Sequence, residues 1–591
     1  MMSVQDLPKT RWRLRDENKK AQDLLIQEFG VSPIISTIII NREIGNADDI
    51  KRYLFPSLYD LHNPFLMQDM KKAVDRMISA LHHKEKIVVY GDYDADGITS
   101  VVVLLHFIRD IMKIKLRFHE AATFYIPDRA SEGYGLNRAA IERFHAEGTK
   151  LIITVDCGMA NHEEISLARQ LGIDVIILDH HEPSDSLPPA TAVVNPKRSD
   201  CHFPFKDLAA VGIVFNFLIA VRGALRGEGF WNKNNYPNLR DYLDLVALGT
   251  IGDIVPLVDE NRIFTKFGLE LISQGLRVGI RALKMVCGLE GKEIDASKAS
   301  FALIPRINAA GRIASAGYAV KLLLSENPEE AWNIALKLEG FNKKRQSMER
   351  TIFTQLLEMV SEEATAGENE LLVFSSPDWH PGIIGIVASK LADRFGRPAI
   401  LISLKDGLGK GSGRSVADFN LFEGIKGCES HLLAYGGHRY AAGLLIEEEN
   451  IVSFSKQLSD ITNKYYHERE FTVSTEIDAQ CLLTDINYEL LSQMQILAPF
   501  GSGNPEPILC TRNVSVSHPS VVGNNHLKMR VSHDGIYRDS IWFNKGQYLP
   551  KINQSVLDIV FTPQINIWNG SDNIQLRMRD AAIKHNHDIL R

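Results

Sequence analysis

Four short runs of uniformly apolar residues, spaced by amphipathic segments of helix length, constrain this chain more than any other feature. They are Ile87-Val88-Val89-Tyr90, Leu151-Ile152-Ile153-Thr154-Val155, Val175-Ile176-Ile177-Leu178 and Ala192-Val193-Val194. A strand with one wet face alternates polar and apolar residues. A strand that is apolar throughout is covered on both faces, as in a parallel sheet flanked by helices. The pattern predicts a doubly wound α/β domain. Ligands in such domains collect beyond the carboxyl ends of the strands.

The residues at those ends are acids and imidazoles. Tyr90-Gly91-Asp92-Tyr93-Asp94-Ala95-Asp96-Gly97 sets three carboxylates at alternate positions after the first run. In extended backbone they share a face and repel one another unless a cation intervenes. An EF-hand loop is excluded, because the twelfth position from Asp92 is Val103 and not a bidentate Glu. Asp156 follows the second run, and Asp179-His180-His181 follows the third. Asp253 lies among apolar neighbours in Gly249-Thr250-Ile251-Gly252-Asp253-Ile254-Val255-Pro256. Any one of these acids alone reads as a helix cap or a satisfied polar group. Together they form an oxygen-rich set with one or two imidazoles, suited to two hard divalent cations, Mn²⁺ or Mg²⁺, more than to zinc. Paired cations of that kind hydrolyse phosphoesters by in-line displacement. No Gly-x-Ser-x-Gly nucleophile is present.

The chain has 591 residues, with 24% charged and a formal net charge of −7, so no global basic field marks it as a coating protein for polyanions. A nucleic-acid partner requires a local track of Lys and Arg instead. The six cysteines form no Cys-x-x-Cys, so neither a zinc ribbon nor a disulfide framework is expected. The N-terminus lacks a basic-then-apolar signal, and no uncharged apolar run is long enough to span a bilayer. A cytoplasmic protein is expected, without membrane association.

Beyond the first α/β region, residues 208–338 read as mainly helical, and the Gly-poor stretch 328–363 as long helix. A second, glycine-rich α/β region starts at Leu371. From Phe471 onward, short strand-like segments alternate with turns, which suggests a small β-barrel.

At the residues quoted above the sequence resembles the DHH phosphoesterases, named for the triplet present here as Asp179-His180-His181. The resemblance is closer to the RecJ exonucleases and extends from the N-terminal helices to the terminal barrel. It implies an α/β fold with a parallel-sheet DHH domain joined by a long helix to a second α/β domain (DHH-associated), plus a C-terminal oligonucleotide-binding (OB) β-barrel. The expected boundaries are 1–77 for an N-terminal helical segment, 78–338 for the DHH domain, 339–365 for the connecting helix, 366–465 for the DHH-associated domain and 466–591 for the barrel. The resemblance also implies that Asp94 and Asp96 bind metal, that Asp156 bridges two ions, and that His180 and Asp253 complete one shell. Asp92 then serves the other ion, and His181 faces the scissile phosphate.

Three more matches point to substrate handling. Tyr125-Ile126-Pro127-Asp128-Arg129 with Glu132-Gly133-Tyr134-Gly135 resembles the family's segment beside the metals, and Arg306-Ile307-Asn308-Ala309-Ala310-Gly311-Arg312 its 5′-phosphate pocket. Trp379-His380, Arg414-Ser415 and Gly436-Gly437-His438-Arg439 match the DHH-associated domain. From these, Arg129, Arg306, Asn308, Arg312, Trp379, His380, Arg414, Ser415, Gly436, Gly437, His438 and Arg439 are candidate substrate contacts. Forked guanidinium donors suit phosphate oxygens. Lys528, Arg530, Arg577 and Arg579 fall at alternating strand positions of the barrel and are expected to track a DNA backbone. The sequence departs from the family pattern at Tyr90, where many relatives have His, at Ala417-Asp418 after Gly-Ser-Gly-Arg-Ser, and at Ala210.

The implied activity is 5′→3′ hydrolysis of single-stranded DNA to mononucleotides in recombination and repair. A single-strand-binding protein and a helicase are the expected partners, and a monomer the expected state. A small-substrate DHH enzyme, acting on oligoribonucleotides or cyclic dinucleotides, is the alternative, but such enzymes usually lack the barrel. A non-catalytic replication scaffold is the remote third, opposed by the full set of ligands.

Overall fold

The computed structural model describes residues 11–15, 18–111, 122–129, 131–184, 186–231, 235–363, 370–416, 419–467, 474–553, 555–568 and 571–583. They divide into two compact units. One comprises His62–Val255 with Phe264–Phe471; the other comprises Met1–Leu61, Pro256–Ile263 and Thr472–Arg591.

The larger unit contains two sheets. The first has strands β1 (Ile87–Gly91), β2 (Ala122–Tyr125), β3 (Leu151–Val155), β4 (Asp174–Leu178) and β5 (Ala192–Val194), all parallel, in the order β2-β1-β3-β4-β5. Every residue of β1 and β3 is buried, as their composition requires. Ala122–Tyr125 is the strand that the apolar runs do not reveal. It is a short edge strand with a partly exposed face, so it lacks the fully apolar signature of the interior strands. The order reverses between β1 and β3, and at that switch point the crossovers on opposite faces leave a crevice.

Helix α1 (Ala95–Ile111) leaves β1 and is buried along almost its whole length. It packs against α2 (Ala210–Gly227) and α3 (Leu243–Gly252). Among the described residues, α2 is the one helix long and apolar enough by composition to cross a membrane. Here it is a core element, with Phe215 edge-on to Phe264 at 5.2 Å.

Helix α4 (Ile304–Ile313) leads through the chain to α5 (Pro328–Glu363), 36 residues or about 54 Å long. The far half of α5 joins the second core: Ile352, Leu356 and Val360 pack with Trp379, Val387 and Leu391, the last two from α6 (Ile384–Phe395). The second sheet is mixed. Strand β6 (Leu372–Ser376) runs parallel to β7 (Ala399–Lys405), and β8 (Leu408–Arg414), β9 (Leu432–His438) and β10 (Ala441–Glu447) continue it antiparallel, in the order β9-β10-β8-β7-β6. The glycines of β8 serve packing. A Cβ on Gly411 would lie 2.6 Å from Leu444, and one on Gly413 2.8 Å from Leu421.

In the smaller unit, β11 (Leu509–Val522), β12 (His526–His533), β13 (Ile536–Trp542), β14 (Val556–Trp568) and β15 (Ser571–Ile583) form a sheet that closes when β11 pairs with β14, giving a five-stranded barrel. The N-terminal helices Lys19–Phe29, Pro33–Asn41 and Ala47–Leu54 share its core: Ile35, Ile38 and Leu54 cluster with Leu491, Met494, Met529 and Phe561. Arg11–Leu14 pairs in parallel with Ser474–Ile477, and the Trp12 indole donates to Asp580 at 2.9 Å.

Two buried polar residues join the pieces of this unit. Arg262 is fully enclosed, stacks 4.1 Å from the centre of the Tyr53 ring and donates to the carbonyls of Tyr53, Ile496 and Leu497. Asn504 uses its whole amide: it donates to the carbonyls of Leu497 (2.9 Å) and Pro499 (2.7 Å) and accepts from the Tyr53 hydroxyl (2.9 Å) and Arg42 (2.6 Å). Of the basic residues expected to form a DNA track, Arg577 and Arg579 both pair with Glu506 and Arg530 pairs with Asp539. Two carboxylates thus meet three of the four basic side chains, so the expected basic face carries part of its charge in ion pairs. The substitution Asn504→Ala takes the donor from the Pro499 carbonyl and the amide acceptor from Tyr53 and Arg42, and is expected to lower the stability of this unit by about 1–3 kcal/mol, read as a shift of its urea-unfolding midpoint with no change in slope.

Candidate metal and phosphate site

Strand register assembles the rim. Gly91 is level with Val155, and Val155 with Leu178, so Asp92, Asp156 and Asp179 follow three adjacent strands at the same height. The chain turns sharply here. Gly97 lies so close beneath the loop that a Cβ would sit 2.6 Å from the Asp92 carbonyl, and Gly249 of α3 admits Asp96, whose Oδ1 would be 2.9 Å from a Cβ there. Asp156 itself adopts a left-handed backbone (φ 61°), as does Ile254 directly after Asp253. A β-branched residue in that region is strained, and such strain gathers at functional sites.

Three overlapping groups of ligand atoms result: Asp92, Asp94 and Asp156; Asp96, His180 and Asp253; and Asp156, His180 and His181. His180 lies between two carboxylates, with Nε2 3.3 Å from Asp156 and Nδ1 3.5 Å from Asp253. Asp94 caps α1 through Oδ1, accepting from the amides of Asp96 (3.0 Å) and Gly97 (3.2 Å). Asp96 accepts from the first amides of α2, those of Ala210 (2.7 Å) and Val211 (2.9 Å). Substitution of Ala for the usual glycine at 210 leaves this contact in place, because the backbone makes it.

Charge crowding shows in the proton affinities. Burial first, then the neighbouring carboxylates, push Asp92, Asp156 and Asp253 well above the usual carboxylate range. Asp96 is raised to about 7 by burial and by Asp94. Burial and the adjacent His181 cation hold His180 down to about 3, a neutral imidazole. His181 behaves oppositely. Burial opposes its charge, but the hydrogen bond it donates to Asp179 (2.7 Å) and the attraction of Asp179, Asp253 and Asp92 raise it to about 9. Asp179 therefore orients an imidazolium and is not grouped with the metal ligands.

The fit to divalent cations rests on two buried atoms. Asp92 Oδ1 and His180 Nε2 are sealed from solvent and have no hydrogen-bond partner. A buried acceptor and a neutral imidazole nitrogen left open are costly as they stand and are ready ligands. Asp156 and His180 are each shared by two of the three groups.

Beside the acids lies a cationic cluster. Arg312 is pushed down to about 10 by burial and by Arg129, and Arg414 is lowered by the same two causes. Among the described ion pairs, none involves Arg129, Arg312 or Arg414. Arg129 lies over the Tyr93 ring at 4.8 Å, and Arg312 donates to the Gly382 carbonyl at 3.1 Å. Asn308 is one turn before Arg312 on α4, with a buried, unpartnered Oδ1. From the second sheet, His438 stacks 6.4 Å from His181, and Gly436 stands open, since a Cβ there would meet nothing within 4 Å. Gly437 adopts φ 140°, and Arg439 is exposed over Tyr440. His380 is half-buried and accepts from the Gly382 amide (3.1 Å).

Three expected contacts are structural instead. Arg306 forms an ion pair with Glu339 at 2.6 Å and donates to Ala302, so it fastens α4 to α5. Trp379 is 3% exposed, donates to Gln355 at 3.0 Å and sits in the second core, where no base can stack on it. The Ser415 hydroxyl donates within its own loop to Phe419 (2.7 Å). The departures at Ala417 and Asp418 lie outside the described residues. Tyr134, by contrast, joins the site although the sequence motifs assign it no role of its own. Its hydroxyl donates to the Asp156 carbonyl at 3.0 Å and lies 3.3 Å from His181 Nδ1. Its place between two glycines is the signal that could have marked it.

Fold and site together define a phosphoesterase of the DHH class. The chain matches the family models "DHH family, N-terminal domain" at residues 86–250, "DHHA1 domain" at 368–464 and "RecJ OB domain" at 477–580. It is 37% identical over 580 residues to the single-stranded-DNA-specific exonuclease RecJ of Bacillus subtilis, covering 97% of this chain and 71% of the relative. It is 33% identical to that of Escherichia coli, covering 92% and 95%. The crystal structure of RecJ from Thermus thermophilus in complex with Mn²⁺ superposes with a TM-score of 0.82 at 27% identity, covering 98% of this chain and 80% of that one. The chain belongs to the RecJ family.

Metal-free protein should weaken as pH rises. Asp96 is bound to a proton more tightly in the fold (about 7) than at its ordinary value of 3.8, so the folded state holds the extra proton between these values and loses stability through that window. The Tm gain on adding MnCl₂ is therefore expected to be larger at pH 8 than at pH 5, measured by thermal unfolding of EDTA-stripped protein.

Proposed function

We propose that this chain is a metal-dependent exonuclease that hydrolyses single-stranded DNA from its 5′ end to mononucleotides, with two divalent cations, Mn²⁺ or Mg²⁺, held by Asp92, Asp94, Asp96, Asp156, His180 and Asp253. The observation that carries this reading is a crowd of buried carboxylates set directly beside arginines that have no carboxylate partner among the described residues. One half suits cations and the other a terminal phosphate. Bound cations supply activation of the attacking water and neutralise charge at phosphorus. The chain's own groups do the rest. His181, protonated and oriented by Asp179, holds a positive N–H at the edge of the metal ligands, where a non-bridging or departing oxygen gains a proton donor.

Arg312, Arg129 and Arg414 provide forked donors for the 5′-terminal phosphate, with Gly436 leaving the backbone open to the strand. A pocket for a chain end beside the cutting site fixes polarity and makes the enzyme an exonuclease. Contacts of the second α/β region on both sides of the site, His438 to His181 and Gly382 to Arg312, favour a single strand over a duplex. The barrel matches the family's OB model, a fold that binds single strands. We extend the reading to a cytoplasmic monomer that works with a helicase and a single-strand-binding protein in recombination and repair.

Digestion of end-labelled strands in Mn²⁺ and in Mg²⁺ tests it. Mononucleotides should appear from the 5′ end of single strands, and equal degradation of blunt duplex or release from the 3′ end contradicts the assignment. Asp156→Ala removes the shared ligand and should lower kcat by about 10³-fold or more, a loss of several kcal/mol of transition-state stabilisation. Arg312→Ala should raise KM about 10- to 100-fold for 5′-phosphorylated strands, the value of a charge-assisted hydrogen bond, with a smaller effect on 5′-hydroxyl strands.

A further inference from the structure

The side chain at position 90 does not face the carboxylates. Tyr90 is fully buried, its ring packs against Tyr125 (5.2 Å) and Phe144 (6.4 Å), and its hydroxyl donates to the Gly135 carbonyl at 2.8 Å. Asn137, the cap of helix Arg138–Ala146, donates to the same hydroxyl at 3.3 Å. Gly135 is confined from the other side as well. It has φ 86°, and a Cβ there would lie 2.5 Å from Asn161 Oδ1. The Asn161 amide meanwhile brackets the next residue, accepting from the Leu136 amide (3.1 Å) and donating to the Leu136 carbonyl (3.2 Å).

The residue before this clamp is Tyr134. Its hydroxyl donates to the carbonyl of Asp156, the ligand shared by two groups and held in a left-handed backbone, and its ring stands edge-on to His181 at 5.7 Å. The path is short and stiff: a phenol rooted in the core, one glycine, and a second phenol against the metal ligands.

We propose that Tyr90 and Asn161 are positioning residues for hydrolysis, acting through Tyr134. They fix Gly135 and Leu136, and so hold the Tyr134 hydroxyl where it steadies the Asp156 backbone and the His181 ring. Neither touches metal or substrate. This rests on the exonuclease reading for its kinetic test, but the link itself is structural and can be read without turnover.

The experiment is a double-mutant cycle on the full chain with a 5′-phosphorylated single strand. Tyr90→Phe removes only the hydroxyl and should lower kcat roughly 10- to 100-fold, the scale of a displaced catalytic group, while KM and Mn²⁺ affinity, titrated calorimetrically without DNA, stay within twofold. Tyr134→Phe should give a similar loss. The double variant should be no worse than Tyr134→Phe alone, because both changes break one path. Losses that multiply, an unchanged kcat in Tyr90→Phe, or a tenfold change in its Mn²⁺ affinity overturn the proposal; the last would place Tyr90 in the metal site. Asn161→Ser provides the second route and should reproduce the Tyr90→Phe pattern if that variant folds poorly. Should the wild-type chain degrade no DNA, the exonuclease reading fails by itself. Hydrogen exchange then decides the link: faster exchange at Leu136 in Tyr90→Phe supports it, and unchanged exchange refutes it.

Discussion

Mutual repulsion among carboxylates governs this molecule. Asp92, Asp96 and Asp156 are almost fully buried; Asp96, Asp156 and Asp253 gather around the His180 imidazole, and Asp92 and Asp94 gather on Asp156. Buried like charges are tolerated only when protonated or matched by nearby positive charge. The fold invests several devices in holding them together: the aligned ends of β1, β3 and β4, the amide caps on Asp94 and Asp96, and glycines that let α1 and α3 approach. Asp179 and His181 form a separate ion pair next to this crowd, which gives the site an acid as well as its metal ligands. Among the described residues the neighbouring arginines have no carboxylate partners, so the two halves of the site carry complementary charge.

Much of this was legible in the amino-acid order. The interior strands announce themselves because burial on both faces demands apolar residues at every position, and the acids follow directly on them. The edge strand Ala122–Tyr125 lacked that signal, since an edge need not be apolar. What a motif does not reveal is the direction of a side chain. Arg306 and Arg312 lie six residues apart on one helix, yet one is paired with Glu339 and the other joins the cationic cluster beside the acids. Trp379 stands beside His380 in sequence, but its ring belongs to the core. Tyr90 stands where many relatives have His. The structure turns its hydroxyl toward Gly135, a contact set by packing against Tyr125 and Phe144 that no local pattern encodes.

The barrel shows the same limit over longer separations. Alternating strands mark it from Phe471 onward, and its basic positions read as one charged face. Their partners, Glu506 and Asp539, come from a loop and a neighbouring strand, and only the three-dimensional register reveals that part of the charge is paired. The helices before residue 61 carry ordinary amphipathic patterns, which say that they bury a face but not against what.

That distant pairing has a consequence for the order of assembly. Trp12 meets Asp580 across 568 residues of chain, and Arg262 ties the carbonyl of Tyr53 to those of Ile496 and Leu497. The helices between Lys19 and Leu54 complete their core only with residues from Ala479 to Ala581. The unit carrying the metal site is encoded between them and can complete its own sheets earlier. Contacts between segments so far apart form slowly, and until they form the apolar faces of these helices lack the core that covers them.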